Sequence, residues 1–152
     1  DAEAQAETDV ISQREEALAE KLKEMRRRKR KLVDPLQFEM SINAPDLTSY
    51  QPNFGWELEQ VSTGQKTILE KLGIYPDEIQ SAGKAQMLID TLGARRDAGL
   101  ATPKQIRFLE NKGFVHVGTW SFNAAKSLID RIAGNGWIVP RGIKPAAYKP
   151  GG

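Results

Sequence analysis

Cysteine is absent from the 152 residues. That excludes a disulfide framework, thiolate metal sites and cysteine nucleophiles together. Histidine occurs once, as His116, so a zinc site built on several imidazoles is excluded as well. No apolar run approaches the ~20 residues that a membrane-spanning helix needs, and no membrane partner is expected. The opening Asp1-Ala2-Glu3-Ala4 lacks the basic and apolar regions of a signal peptide. The first residue is not Met, so the chain reads as a cytoplasmic (intracellular) piece of a longer protein. Hydrophobic residues make up 39% and charged residues 28%, more polar than an average globular chain but short of a disordered profile.

Catalytic and nucleotide-binding signatures are missing too. Gly83-Lys84 is followed by Ala85 and has no glycine five residues before it, so it is not a phosphate-cradling loop. No G-x-G-x-x-G, H-E-x-x-H or G-x-S-x-G occurs. His116 has no partner at motif spacing and reads as a loop histidine between Val115 and Val117. Asp90 and Asp130 could pass for paired carboxylates. They come directly after apolar pairs on helical stretches, and interhelix or capping hydrogen bonds explain them better than acid–base work. No catalytic residue, metal or cofactor is expected in this piece; any enzymatic activity would belong to its parent.

What is present is segregated charge. Residues 1–24 carry −5, residues 25–33 carry +6, residues 34–61 carry −5, residues 62–100 balance, and residues 101–152 carry +6. The basic block is Arg26, Arg27, Arg28, Lys29, Arg30 and Lys31. Basic blocks of this kind suggest a polyanion partner or simply a solvated face.

Residues 8–33 lack Gly and Pro and are rich in good helix formers, which predicts one helix. Ile11, Leu18, Leu22, Met25 and Leu32 form an incomplete a/d seam interrupted by Glu15 and Lys29. Such a helix docks elsewhere, serves as a solvated connector, or self-associates weakly. Asp34-Pro35 ends it. Residues 34–61 contain three prolines yet a heavy apolar load, including Leu36, Phe38, Met40, Tyr50, Phe54 and Trp56. They predict an ordered irregular strap with short helical turns, packing its aromatics on the domain C-terminal to it.

Residues 62–90 and 102–130 align without gaps at a shift of forty. Nine positions are identical, among them Gln65/Gln105, Leu69/Leu109, Gly73/Gly113, Ser81/Ser121 and Ala85/Ala125. Chance would give about two, from ordinary residue frequencies. Each copy opens on a capping-box pattern, Ser62-Thr63-Gly64-Gln65 or Thr102-Pro103-Lys104-Gln105. A short helix comes next, with Ile68, Leu69 and Leu72, or Ile106, Phe108 and Leu109, inward. Gly73 or Gly113 then supplies a C-cap, and Ser81 or Ser121 starts a second helix. Neither helix–loop–helix can bury its face alone, so the two are expected to pack on each other. Trp137-Ile138-Val139-Pro140 is expected to close the core, with Trp137 and Phe108 inside.

Nucleic acid is the partner that the second copy suggests. Lys104, Arg107, Lys112, Lys126, Arg131, Arg141, Lys144 and Lys149 offer phosphate contacts. Trp120, beside Gly118 in a loop, is the aromatic expected to be exposed and to stack on a base. Helix starts at Thr102 and Ser121 add amide donors for phosphate.

The run Arg95-Arg96-Asp97-Ala98-Gly99-Leu100-Ala101-Thr102-Pro103-Lys104-Gln105-Ile106-Arg107-Phe108-Leu109, with Ala133-Gly134-Asn135-Gly136-Trp137, resembles the C-terminal region of DEAD/DEAH-box (superfamily 2) helicase-like proteins of phages and mobile elements. Asp34-Pro35-Leu36 through Phe54-Gly55-Trp56-Glu57 looks like the stretch preceding that region. The resemblance implies an ATP-driven motor N-terminal to this piece, with none of the motor's ATP-binding residues here.

The expectation is therefore an all-α chain. A long helix or connector occupies 1–33, a strap 34–61, two tandem helix–loop–helix repeats 62–140 (62–100 and 101–140), and an extended tail 141–152. It would be a non-catalytic accessory module of a helicase-like protein, holding DNA through the second repeat, with Arg26–Lys31 as a secondary basic patch. The alternative is a docking module for the parent helicase motor or another subunit.

Overall fold

A computed structural model of the protein describes residues 2–150, with side chains from Ala4 onward. The chain is all-α: among the described residues there are seven α-helices, three short 3-10 turns and no strand. It divides into two units, residues 1–31 and 32–152.

The first unit is α1, Ala2–Lys31. It begins earlier and ends two residues sooner than the sequence suggests. The cause lies at Val33, which leaves the helix to make a parallel bridge with Ile74: its amide donates to Gly73 O at 2.7 Å and its carbonyl accepts from Tyr75 N at 2.8 Å. Leu32 and Val33 are accordingly buried in the second unit rather than continuing the α1 seam.

The second unit holds α2 (Pro35–Ser41), α3 (Pro45–Thr48), α4 (Thr63–Lys71), α5 (Ala82–Asp97), α6 (Pro103–Asn111) and α7 (Phe122–Gly134). Asp34 caps α2 by accepting from Gln37 N at 3.0 Å, and Pro35 fills the first helical position, where a missing N–H leaves nothing unpaired. Ser62 and Thr102 each form a complete capping box, with Gln65 and Gln105 reaching back to the cap amide.

The forty-residue repeat holds at the level of single hydrogen bonds. Ala82 N donates to Glu59 O at 2.7 Å, and Phe122 N to Gly99 O at 2.8 Å. Ile74 N donates to Leu69 O at 2.9 Å, and Phe114 N to Leu109 O at 3.0 Å, across the left-handed residues Gly73 (φ 92°) and Gly113 (φ 96°). Each capping glutamine also spans its own repeat: Gln65 Nε2 donates to Ala82 O at 3.0 Å, and Gln105 Nε2 to Phe122 O at 3.5 Å. One side chain thereby caps the first helix and holds the start of the second.

The repeats do not share a core, contrary to expectation. Leu69, Ile74, Ala85, Leu88 and Leu92 of the first copy pack with Val33, Phe38 and Leu47. Ile106, Leu109, Phe114, Val117, Trp120, Ala125, Leu128 and Ile132 of the second form a separate core, covered by Val139, Ile143 and Tyr148. Each copy thus completes its core with a segment outside the repeat, the strap for one and the tail for the other. Ile42 touches both cores and joins them. The tail is not extended throughout: Pro145–Ala147 form a 3-10 turn, and Tyr148 lies 5.5 Å from Phe114 and 5.6 Å from Trp120 between ring centroids. Positions 151–152 of the expected tail lie outside the described residues.

Several apolar positions depart from the sequence expectation. Trp137 and Ile138 stay exposed at 57% and 68%, while Val139 packs inward. Ile68 is 45% exposed and Phe108 only half-buried. In the strap Phe38 is buried, but Phe54 and Trp56 face outward.

Candidate nucleic-acid interface

The second repeat carries its bases mostly on the outside. Lys104 stands in the first turn of α6, and its aliphatic stem covers Gly73, 3.4 Å from where a Cβ would be. Arg131 lies in the last turn of α7, and Arg141, Lys144 and Lys149 come after it in the tail; all five are exposed. Lys126 is exposed on α7 but pairs with Asp130 at 3.0 Å. Arg107 is half-buried, and its Nη1 donates to Leu32 O at 2.8 Å, tying α6 to the first residue after α1. The last of the eight, Lys112, donates through Nζ to Trp137 O at 2.8 Å and lies 5.7 Å from the Phe108 ring centre. Arg107 and Lys112 therefore have structural duties that the sequence did not disclose.

Trp120 is buried, against the sequence expectation. It is 4% exposed, with Phe114 at 5.9 Å and Tyr148 at 5.6 Å. Its loop position predicted exposure, but the aromatic neighbours come from positions 114 and 148, and they close over it. It cannot stack on a base.

Trp137 takes the exposed place. Trp137 N donates to Ile132 O at 2.9 Å across a turn in which Gly136 (φ 70°) and Trp137 itself (φ 65°) are left-handed. That conformation turns the side chain outward, onto the edge of Phe108 at 5.9 Å with an interplanar angle of 74°. The Asn135-Gly136 pair is a turn signal that the sequence did carry, and it argued against a buried Trp at the next position.

The acids of this repeat are occupied. Glu110 accepts from Ser41 Oγ at 3.0 Å, and Asp130 is neutralised by Lys126. In the first repeat Asp90 accepts from Gln86 at 3.0 Å, one turn away. Asp90 and Asp130 thus make contacts within their own helices rather than between helices or at caps. His116 is a loop residue with φ 59°.

The six-base block Arg26–Lys31 lies at the end of α1, with all but half-buried Arg28 exposed. Arg27 pairs with Glu24 at 2.9 Å.

Two groups elsewhere in the second unit are perturbed. Burial lowers the pKa of Arg95, whose Nη2 donates to Ala101 O at 3.1 Å and Gly118 O at 3.0 Å while its Nε is buried without a partner. Tyr50 is pushed up to about 12, chiefly because its hydroxyl donates to the Glu57 carboxylate. Among the described residues no group of three or more His, Asp or Glu side chains could hold a metal ion, and no helix is long and apolar enough to cross a membrane.

No protein-family model, curated protein or solved structure matches the chain.

Proposed function

We propose that the chain is a non-catalytic nucleic-acid-binding module that grips single strands through its second repeat. The observation that carries this reading is an exposed Trp137, seated on Phe108 and beside Lys112, in a segment whose exposed bases outnumber its two occupied acids. Exposed aromatics offer stacking to unpaired bases, and scattered lysines and arginines supply phosphate contacts. Arg131, Arg141 and Lys144 are the residues assigned to the backbone. The resemblance to helicase-like proteins agrees with this reading and supplies the motor that would deliver such a strand.

Titration of labelled single-stranded DNA across a salt series tests it. Trp137→Ala should weaken binding roughly 5- to 160-fold, at about 1–3 kcal/mol per stacked base. Arg131→Glu with Arg141→Glu should flatten the salt slope, by roughly 0.7 for each phosphate that is no longer neutralised on a single strand. No binding at low salt would end the proposal.

A second reading, docking onto the motor or another subunit, rests on the strap. Leu36, Met40, Phe54, Trp56 and Leu58 are 53–70% exposed on a segment whose exposed charges, Asp34, Asp46 and Glu59, are all acidic. It predicts capture by a basic partner with Trp137→Ala unaffected and Trp56→Ala defective.

A further inference from the structure

Helix α1 carries an apolar stripe that its own unit leaves bare. Ile11, Leu18, Leu22 and Met25 are 55%, 59%, 42% and 41% exposed. With Ala4 and Thr8 they occupy a and d positions of one heptad frame, and Glu15 and Lys29 fill the remaining a positions. Helices draw most of their stability from packing such a face rather than from propensity.

We propose that α1 pairs antiparallel with α1 of a second copy of this chain, along its full length. This inference does not depend on the nucleic-acid reading. The occupant is chosen by charge. The first third of α1 holds Glu3, Glu7 and Asp9 and no base, and its end holds six consecutive bases. Parallel pairing would lay the six-base block on its own copy and set Glu15 against the second copy's Glu15 in the seam. Antiparallel pairing sets the acidic start of each helix against the basic end of the other. Like charges on facing positions oppose pairing and unlike charges select orientation.

The heptad frame fits the same arrangement. When Ala2 of one copy faces Lys31 of the other, Ile11 meets the second copy's Leu22. Thr8 then meets the second copy's Met25, and Leu18 lies against the second copy's Glu15. These are the a-to-d layers that antiparallel pairs require. Glu7 and the second copy's Arg28 then flank the seam with opposite charge. Arg14 and the second copy's Lys21 flank it with like charge, and Glu15 and Lys29 dilute it. The dimer is therefore dependent on concentration and weakened by salt.

Sedimentation equilibrium of the full chain, from micromolar to near-millimolar concentration, reads this directly. The mass should rise from 16.9 kDa toward twice that value, and less steeply in high salt. Leu18→Glu with Leu22→Glu should stay monomeric while the melt of the second unit is unchanged. Orientation is read in a chain without native cysteine. Thr8→Cys mixed with Met25→Cys should give the mixed disulfide on mild oxidation. Thr8→Cys alone should stay unlinked, because antiparallel pairing holds its two sulfurs about 25 Å apart, at roughly 1.5 Å per residue. A monomeric mass at every concentration would overturn the proposal, as would ready disulfide formation by Thr8→Cys alone.

Discussion

Lys84 Nζ sits 2.9 Å from Glu39 Oε1, an ion pair whose carboxylate side chain is 3% exposed. The same ammonium donates to the Leu47 carbonyl, and Glu39 accepts from Thr48 Oγ1 at 3.5 Å. One lysine on α5 thus fastens both strap helices. Breaking a buried pair from one side leaves a charge without its counter-charge. Lys84→Met should therefore destabilise the second unit by about 3–5 kcal/mol in urea unfolding, and Glu39→Leu added to it should recover much of the deficit.

Arg95 joins the two repeats. It grows from α5 of the first copy, reaches two carbonyls of the second, and lies 5.8 Å from the centre of the Phe38 ring. Both bonds leave one nitrogen, Nη2, and bonds from a charged donor contribute about 1.5–3 kcal/mol. Arg95→Met should lower the stability of the second unit. Hydrogen exchange should then quicken at Ala101 and Trp120, whose backbones pair at 3.0 Å beside the missing guanidinium.

Glycines give a prediction of opposite signs. A Cβ on Gly118 would collide with the Ser41 carbonyl and lie 3.1 Å from Ile42 Cα, both backbone atoms. Gly118→Ala must push α2 away from the turn at Val117–Thr119 and should lower the melting temperature. Gly93, inside α5, has nothing within 4 Å of such a Cβ. Gly93→Ala should stabilise by about 0.5–1 kcal/mol, the helix-propensity difference.

Tyr50 makes stability sensitive to alkali. Its pKa is raised to about 12 in the fold, against 10.0 ordinarily. The protonated phenol is the form that bonds Glu57, so its contribution is complete below about pH 10. It falls away as pH rises from there through about 12, because the unfolded chain ionises first. Tyr50→Phe should remove that alkaline decline from unfolding curves measured between those values. It should also delete the component of tyrosinate absorbance that appears near pH 12.

The repeat was legible because its signals are local. Ser62, Gln65, Gly73 and Ser81 each fix their own turn, and their counterparts forty positions on do the same. The tryptophans were not legible, because burial is decided at a distance. Trp120 looks exposed beside Gly118 until Tyr148 arrives from the tail. Trp137 looks like core until Gly136 and its own left-handed backbone swing it out. The separate cores are hidden from the sequence for a related reason. Val33, Phe38 and Leu47 lie far from Leu69 and Leu88 in sequence, and nothing in their spacing assigns them to the first copy alone. The candidate interface is half-legible: its bases can be counted, but Arg107 and Lys112 turn out to hold backbone carbonyls.

The separate cores set an order on synthesis. Every residue of the first core lies between Val33 and Leu92, so that half can close while the rest of the chain is still being made. Domains emerging from the ribosome tend to fold N-terminal first. The second core must wait for Tyr148, which caps Phe114 and Trp120. Until the tail emerges, two aromatic rings of the newer half stand open beside a finished older half.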